Sequence, residues 1–296
     1  MAYDEHIRKF PDYIKDAVKR TGGFQVNEEI NTVLVVGAGT GLLAGELLET
    51  YLGDKITAVG GFEMPFGDCK TLVFVASYTG DDPEAIALYR AAVKRGCRIV
   101  GLTSGGELKT SLERNAKERI ILPAGLAENA SLPYLFFTIL KVLENSGIIS
   151  PQQDYINALI HDLATPYEKT AEQFVSNLIG KIILIYSSAK LHPVARRWKM
   201  QFNVLARIPS FASVPELSEL SGFGNMLAGF HAIILKDALA GQDQERKMET
   251  VKQGFRQLGV SSTEIVVRKS DDLTKLFSAI YMGDWIAYFL SQKYTK

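Results

Sequence analysis

Short runs of β-branched and aliphatic residues recur along this chain, and their alternation with helical segments constrains the fold more than any other feature. TVLVVG (32–37), ITAVGG (56–61), TLVFVAS (71–77), CRIVGLT (97–103) and RIILPA (119–124) each read as a strand buried on both faces. Between several of them lie segments with helical spacing, such as 42–52 and 83–95, where Ala87, Leu88, Ala91 and Ala92 form one apolar stripe. Alternation of this kind predicts βαβ units and a parallel sheet covered on both sides. A second series, KIILIYS (181–187), HAIILKD (231–237) and TEIVVRK (263–269), follows a polar, mostly helical stretch at 151–180 and precedes a last helix from about Asp272 to Tyr294. Two α/β domains are expected, 1–152 and 153–296, with the boundary in NSGIISPQQD, where Gly147 and Pro151 follow a long apolar helix.

Charge narrows the partners. Lys+Arg and Asp+Glu both number 33 over 296 residues, and no run of five like charges occurs. Nucleic acid and an anionic membrane surface are therefore poor candidates. Cys69 and Cys97 cannot build a disulfide framework, and the first residues carry no apolar signal-peptide core, so a cytoplasmic protein is expected. The longest apolar stretches, SLPYLFFTILKVL and YMGDWIAYFL, fall short of the roughly 18 residues of a spanning helix and read as buried helices.

In an open parallel sheet, ligands bind at the C-terminal strand edge, where helix N-termini offer unpaired N–H groups and a partial positive charge. Two loops suit an anion there. VVGAGTGLLAGEL brings Gly37, Gly39 and Gly41, which allow close backbone approach, with the hydroxyl of Thr40. It departs from the dinucleotide pattern G-x-G-x-x-G at Leu42, and no acid closes the next strand. The second loop, SYTGDDPEA, carries Ser77, Thr79 and Gly80 ahead of Pro83, which suits a first helical turn. The residues alone leave two readings open: a phosphate cradle, or a polar loop in which Asp81 or Asp82 caps the helix. Both acids stand close to where a phosphate would sit and would repel it. A third loop, GLTSGGELK, repeats the pattern with Thr103, Ser104, Gly105 and Gly106, so three Gly/Ser/Thr loops share one sheet edge.

No metal site is expected, because His6, His161, His192 and His231 lack the spacing of zinc ligands and the cysteines are far apart. No G-x-S-x-G elbow is present. His192, ahead of a helix, and His231, opening an apolar strand, read as structural.

With these loops in place, the chain resembles the SIS (sugar isomerase) fold, and within it the bifunctional phosphoglucose/phosphomannose isomerases. SYTGDDPEA is similar to the family's S-[YF]-S-G-x-T-x-E-[TA] phosphate loop, with Ser77, Tyr78, Gly80 and Glu84 matching and Thr79 keeping the hydroxyl. VGAGTGLLAGEL resembles its glycine-rich first loop, LTSGGELK its T-[TS]-G-G-x-L segment, and ASLPYLFF the start of its central helix. RRWKMQFNVLAR resembles R-x-K-x-x-x-N-E-N-[AS]-K, VPELSELSGF the P-E-x-x-H-N stretch, and YMGDWIAYFL the last helix. The resemblance implies two three-layer αβα domains with parallel sheets, a sugar phosphate ligand, no metal or other cofactor, and a homodimer.

It also implies where chemistry should lie, and there the chain departs. The family's glutamate base falls on Val204, and its ring-opening histidine falls on Glu219. An arginine expected before ASLPY falls at Glu128–Asn129, and the basic residue of the last helix falls on Tyr288 or Phe289. The phosphate-binding serine of the first loop matches Gly41, or Thr40 with a one-residue shift. Aldose–ketose isomerisation needs a base near the working pH and positive charge beside the developing oxyanion, and these substitutions remove both. Glu219 is the weak candidate for a substitute base, with Glu216 behind it. The expected ligand set is Thr40, Gly41, Ser77, Thr79 and Gly80. The sequence leaves a rearranged isomerase, a non-catalytic phosphosugar sensor or regulatory protein, and a dinucleotide enzyme as readings.

Overall fold

A computed structural model of the chain describes residues 3–213, 227 and 229–294. It divides into two compact units, one of Arg8–Asp154 and one of Tyr155–Lys296 together with Met1–Ile7.

In the first unit, β1 (Thr32–Gly37), β2 (Ile56–Val59), β3 (Thr71–Ala76), β4 (Arg98–Thr103) and β5 (Glu118–Ile121) form a parallel sheet in the order β2-β1-β3-β4-β5. Register pairs Leu34 with Val73 and Val36 with Val75, so one face presents these residues with Ile99 to α4 (Pro83–Lys94) and α5 (Gly106–Arg114). On the opposite face, Val35 and Ala58 meet Gly45 of α3 (Gly39–Leu52) so closely that a Cβ on Gly45 would lie 3.1–3.2 Å from them. Behind α3 packs α6 (Leu132–Asn145), and α2 (Phe10–Thr21), which follows the short α1 (Tyr3–Arg8) in sequence, packs on α6. Burial on both faces follows for β1, β3 and β4, whose side chains are almost all inaccessible. β5 departs from that expectation: as the sheet edge it exposes Ile121, and only Ile120 among its residues is buried. The buried stripe of α4 runs through Ala85, Ile86, Leu88, Tyr89 and Ala92, which leaves Ala87 beside it.

The second unit repeats the plan with β6 (Ile182–Ser187), β7 (Ser210–Ser213), β8 (Phe230–Asp237) and β9 (Ser261–Val267), parallel and ordered β7-β6-β8-β9. Leu184, Tyr186, Ala232 and Ile234 pack on Met248, Val251 and Phe255 of α10 (Gln242–Gln257). α9 (His192–Gln201) and α11 (Asp272–Gln292) belong to the other layer, with α8 (Tyr167–Val175) against α11 and α7 (Gln153–Leu163) leading into it. β7 has no counterpart in the sequence reading. Its four residues, Ser-Phe-Ala-Ser, carry no apolar run, and Phe211 is exposed.

One ion pair anchors this unit's helical layer. Arg197 of α9 donates from Nε to Asp284 Oδ1 at 3.0 Å and from a terminal nitrogen to Oδ2 at 2.8 Å, and both side chains are about fully buried. Beside them, a Cβ on Gly283 would lie 2.1 Å from Trp198 Nε1, so α9 and α11 meet where only glycine fits. Asp284→Ala leaves a buried guanidinium facing no carboxylate at that contact, and it is expected to destabilise the unit by about 3–5 kcal/mol, measured by chemical denaturation.

Candidate functional site

In the first sheet β1 and β3 are neighbours although β2 intervenes in sequence, so the chain leaves their C-terminal ends in opposite directions. Such a switch point opens a crevice at the carboxyl edge of an α/β sheet. The loops at 37–41, 77–82 and 103–106 all lie on that edge.

Backbone contacts set its shape. A Cβ on Gly41 would stand 1.9 Å from the Ala76 carbonyl oxygen at the end of β3, and one on Gly37 would stand 2.4 Å from it. The Gly41 N–H donates to Ala38 at 2.9 Å, so this glycine packs α3 on β3. The helix starts at Gly39 with no side-chain cap, which leaves the Gly39 and Thr40 amides at its positive end, while the Thr40 side chain is buried.

The third loop serves the second. Gly80, at φ +81°, lies so close to the Gly105 carbonyl oxygen that a Cβ would approach it to 2.0 Å. Ser104 donates to the Tyr78 carbonyl from both its amide and its hydroxyl, each at 2.8 Å, and Leu108 N–H donates to the Gly80 carbonyl at 2.8 Å. The Thr103 hydroxyl turns to the Tyr78 and Gly105 carbonyls. These hydroxyls hold the loop of Ser77, Thr79 and Gly80 in place.

The two acids that followed Gly80 in the sequence take different parts. Asp81 Oδ1 accepts the Glu107 N–H at 2.9 Å and so caps α5 from the neighbouring loop. Asp82 holds the N-cap position of α4 but makes no cap bond, and the following Pro83 has no N–H to offer. Instead the Ser77 hydroxyl donates to Asp82 Oδ2 while accepting the Gly80 N–H at 3.1 Å. The expectation that one of these acids caps α4 is thereby corrected. Asp82 sits on the hydroxyl that would hold a phosphate, at the position where the family pattern has threonine.

Glu128 completes the arrangement, and the sequence reading missed it as a site residue. Its Oε1 lies against the start of α3, 3.1 Å from where a Cβ of Gly39 would be. Burial raises its pKa above the ordinary carboxylate value, and the Asp82 charge raises it further. Tyr78 secures the segment that carries it, donating to the Pro123 carbonyl and accepting the Leu126 N–H, both at 2.8 Å. Two of the chain's own carboxylates therefore stand at this edge, Asp82 on the Ser77 hydroxyl and Glu128 beside the start of α3. The available signal was the pairing of two departures from the pattern, threonine to Asp82 and arginine to Glu128.

The other sequence candidates lie in the second unit. Val204 is 66% exposed on a single π-helical turn, Phe202–Ala206. Tyr288 and Phe289 pack their rings on Trp285. Glu216 and Glu219 fall outside the described residues. His231 bridges Ser261 and Thr263 across β9 at 2.9 and 2.8 Å, and burial lowers its pKa. Among the described residues, no three His, Cys, Asp or Glu side chains gather as a metal-binding group.

Two parallel αβα sandwiches, with a glycine-lined, hydroxyl-bearing switch point in the first, give the chain the SIS-type fold. Residues 167–296 match the family model of the bacterial phospho-glucose isomerase C-terminal SIS domain. The chain is a relative of the bifunctional phosphoglucose/phosphomannose isomerases. It is 27% identical over 315 residues to the enzyme so named from Caldicellulosiruptor bescii, covering 98% of this chain and 93% of that one. It is also 29% identical over 213 residues to the D-glucosamine-6-phosphate 4-epimerase of Sulfolobus acidocaldarius, covering 70% of this chain and 68% of the other. In three dimensions it resembles the tagatose-6-phosphate ketose/aldose isomerase of Escherichia coli, with a TM-score of 0.71 at 15% identity over 99% of this chain and 93% of that chain.

Removing one carboxylate should be visible at the other. Asp82→Asn takes away a like charge, so the Glu128 pKa is expected to move down towards its ordinary value, read from the carboxyl carbon of Glu128 in an NMR titration.

Proposed function

We propose that this chain binds a sugar phosphate at the β1/β3 switch point and lacks the aldose–ketose machinery of the enzymes it resembles. In this reading Ser77, Thr79, Gly80 and Thr40 hold the phosphate with the α3 and α4 N-termini, and Gly41 lets α3 close on β3. The observation that carries it is the placement of the Ser77 hydroxyl, the Gly80 amide and the Gly39–Thr40 amides on one crevice edge. Loss of catalysis is supported by Val204, since an exposed valine cannot take a proton from a sugar carbon. A sensor or regulatory role follows. The names of the relatives, each an enzyme of a sugar phosphate, support the ligand class.

A second, catalytic reading rests on Glu128, whose raised pKa beside a helix N-terminus gives it the character of a proton-transfer group. Glu219 is the alternative base. A cytoplasmic homodimer remains part of the proposal through the resemblance. The long apolar helices α6 and α11 are buried within their own units, so a dimer would use other surfaces.

Calorimetric titration with glucose 6-phosphate, mannose 6-phosphate and fructose 6-phosphate tests the binding reading. Asp82→Thr frees the Ser77 hydroxyl and removes a negative charge, and it is expected to tighten binding about tenfold, or ~1.4 kcal/mol. No heat from either the native chain or that variant at millimolar ligand sinks the proposal. Isomerase assays on the native chain, Glu128→Gln and Glu219→Gln decide the catalytic reading: turnover that both variants retain removes both residues from it.

A further inference from the structure

The second sheet repeats the strand order of the first, with β6 and β8 adjacent and β7 between them in sequence, and so has a switch point of its own. A cavity of about 280 Å³ opens there, lined by Ser188 beyond β6, by Asp237 at the end of β8 and Ala240 beyond it, by Gln244 and Glu245 in the first turn of α10, and by Arg268 beyond β9. Its size falls near the lower end of small-molecule sites.

Several groups at this edge lack what a finished core supplies. Among the described residues, the hydroxyls of Ser187 and Ser188 are buried without a hydrogen-bond partner, and these residues are only 0% and 8% exposed. Native chains leave few buried hydroxyls unpaired, and a bound ligand or ion is one way to complete them. α10 begins at Gly241 with no side-chain cap, so its first amides point outward at the positive end of a sixteen-residue helix.

The charges are arranged with equal economy. Lys275 of α11, 3% exposed, donates to Asp237 Oδ2 at 2.7 Å and Asp272 Oδ1 at 3.3 Å, and Lys190 pairs with Asp272 at 2.7 Å. Burial alone would lower the Lys275 pKa, but these two acids outweigh it and hold the ammonium charged. Asp237 is thereby neutralised and fixed at the cavity wall. Lys236 is paired with Glu264, whereas Arg268 is exposed and has no carboxylate partner among the described residues. Glu245 is the acid left to accept from hydroxyl groups.

We infer that this second switch point is a separate binding site for a small phosphorylated polyol. Its phosphate meets the α10 amides, Arg268 and the Ser188 hydroxyl, and its hydroxyls donate to Asp237 and Glu245. The site stands on the other sheet from the cradle at Ser77 and does not depend on it.

Glycerol 3-phosphate and inorganic phosphate serve as probes, titrated into the full chain while backbone amide shifts are followed by NMR. Saturable shifts at 187–190 and 241–245 are expected with glycerol 3-phosphate. Ser188→Ala should weaken them about tenfold, as loss of one hydrogen bond to a charged group does. Ala240→Trp, at a half-buried rim position, should abolish them, and the blocking variant Thr79→Trp of the first loop should leave them unchanged. Shifts confined to 37–41 and 77–82 overturn this inference and leave the first reading standing. Shifts at the second edge alone support this inference, whatever the hexose phosphate titration decides for the first. Inorganic phosphate binding there as tightly as glycerol 3-phosphate overturns the polyol assignment.

Discussion

The candidate crevice depends on backbone touching backbone. The Ala76 carbonyl at the end of β3 tolerates no Cβ at Gly37 or Gly41, and the Gly105 carbonyl tolerates none at Gly80. These contacts bring the start of α3 and the turn after β3 to fixed positions around one opening. Amide donors placed in this way do not depend on side-chain rotamers, which is the kind of rigid first layer a binding site needs. The third loop braces the second: without Ser104 and Thr103 on the Tyr78 carbonyl the second loop would lose its support.

What enters a crevice of that shape is decided by the side chains that surround it, and here they oppose the backbone. Helix N-termini and hydroxyls favour an anion, whereas Asp82 and Glu128 already place negative charge at them. Burial raises the Glu128 pKa, and the Asp82 charge beside it adds to that rise. Any external anion at this edge meets the Ser77–Asp82 hydrogen bond and the Glu128 carboxylate before it meets a free donor.

Much of the fold was legible because it is written in long, uniform signals. Runs such as TLVFVAS and HAIILKD have few alternatives to a buried strand, and the glycine and hydroxyl loops that follow them mark one edge. β7 was not legible, since four residues at a sheet edge need no apolar run to be paired. Sequence also could not decide the partner of Asp82. An aspartate before a helical proline reads as a cap, but a hydroxyl five residues back offers a stronger donor than a helix whose first residue lacks an N–H. Glu128 was read as an arginine lost; only the packing of its segment under Tyr78 shows that a carboxylate has been gained beside Gly39.

In the second unit the turn that carries Val204 is held by its neighbours. This π turn ends in Arg207 at φ +56°, a left-handed conformation that costs a non-glycine residue energy unless its surroundings enforce it. They do: Asn203 Oδ1 accepts from the Ser210 amide and hydroxyl, each at 2.8 Å, and the Ile208 N–H returns to the Phe202 carbonyl at 3.0 Å. Asn203 thus holds β7 to the sheet, a task independent of what stands beside it. Val204 itself is 66% exposed, so the turn draws its stability from Asn203, Phe202 and Ser210 and places no demand on the side chain at 204.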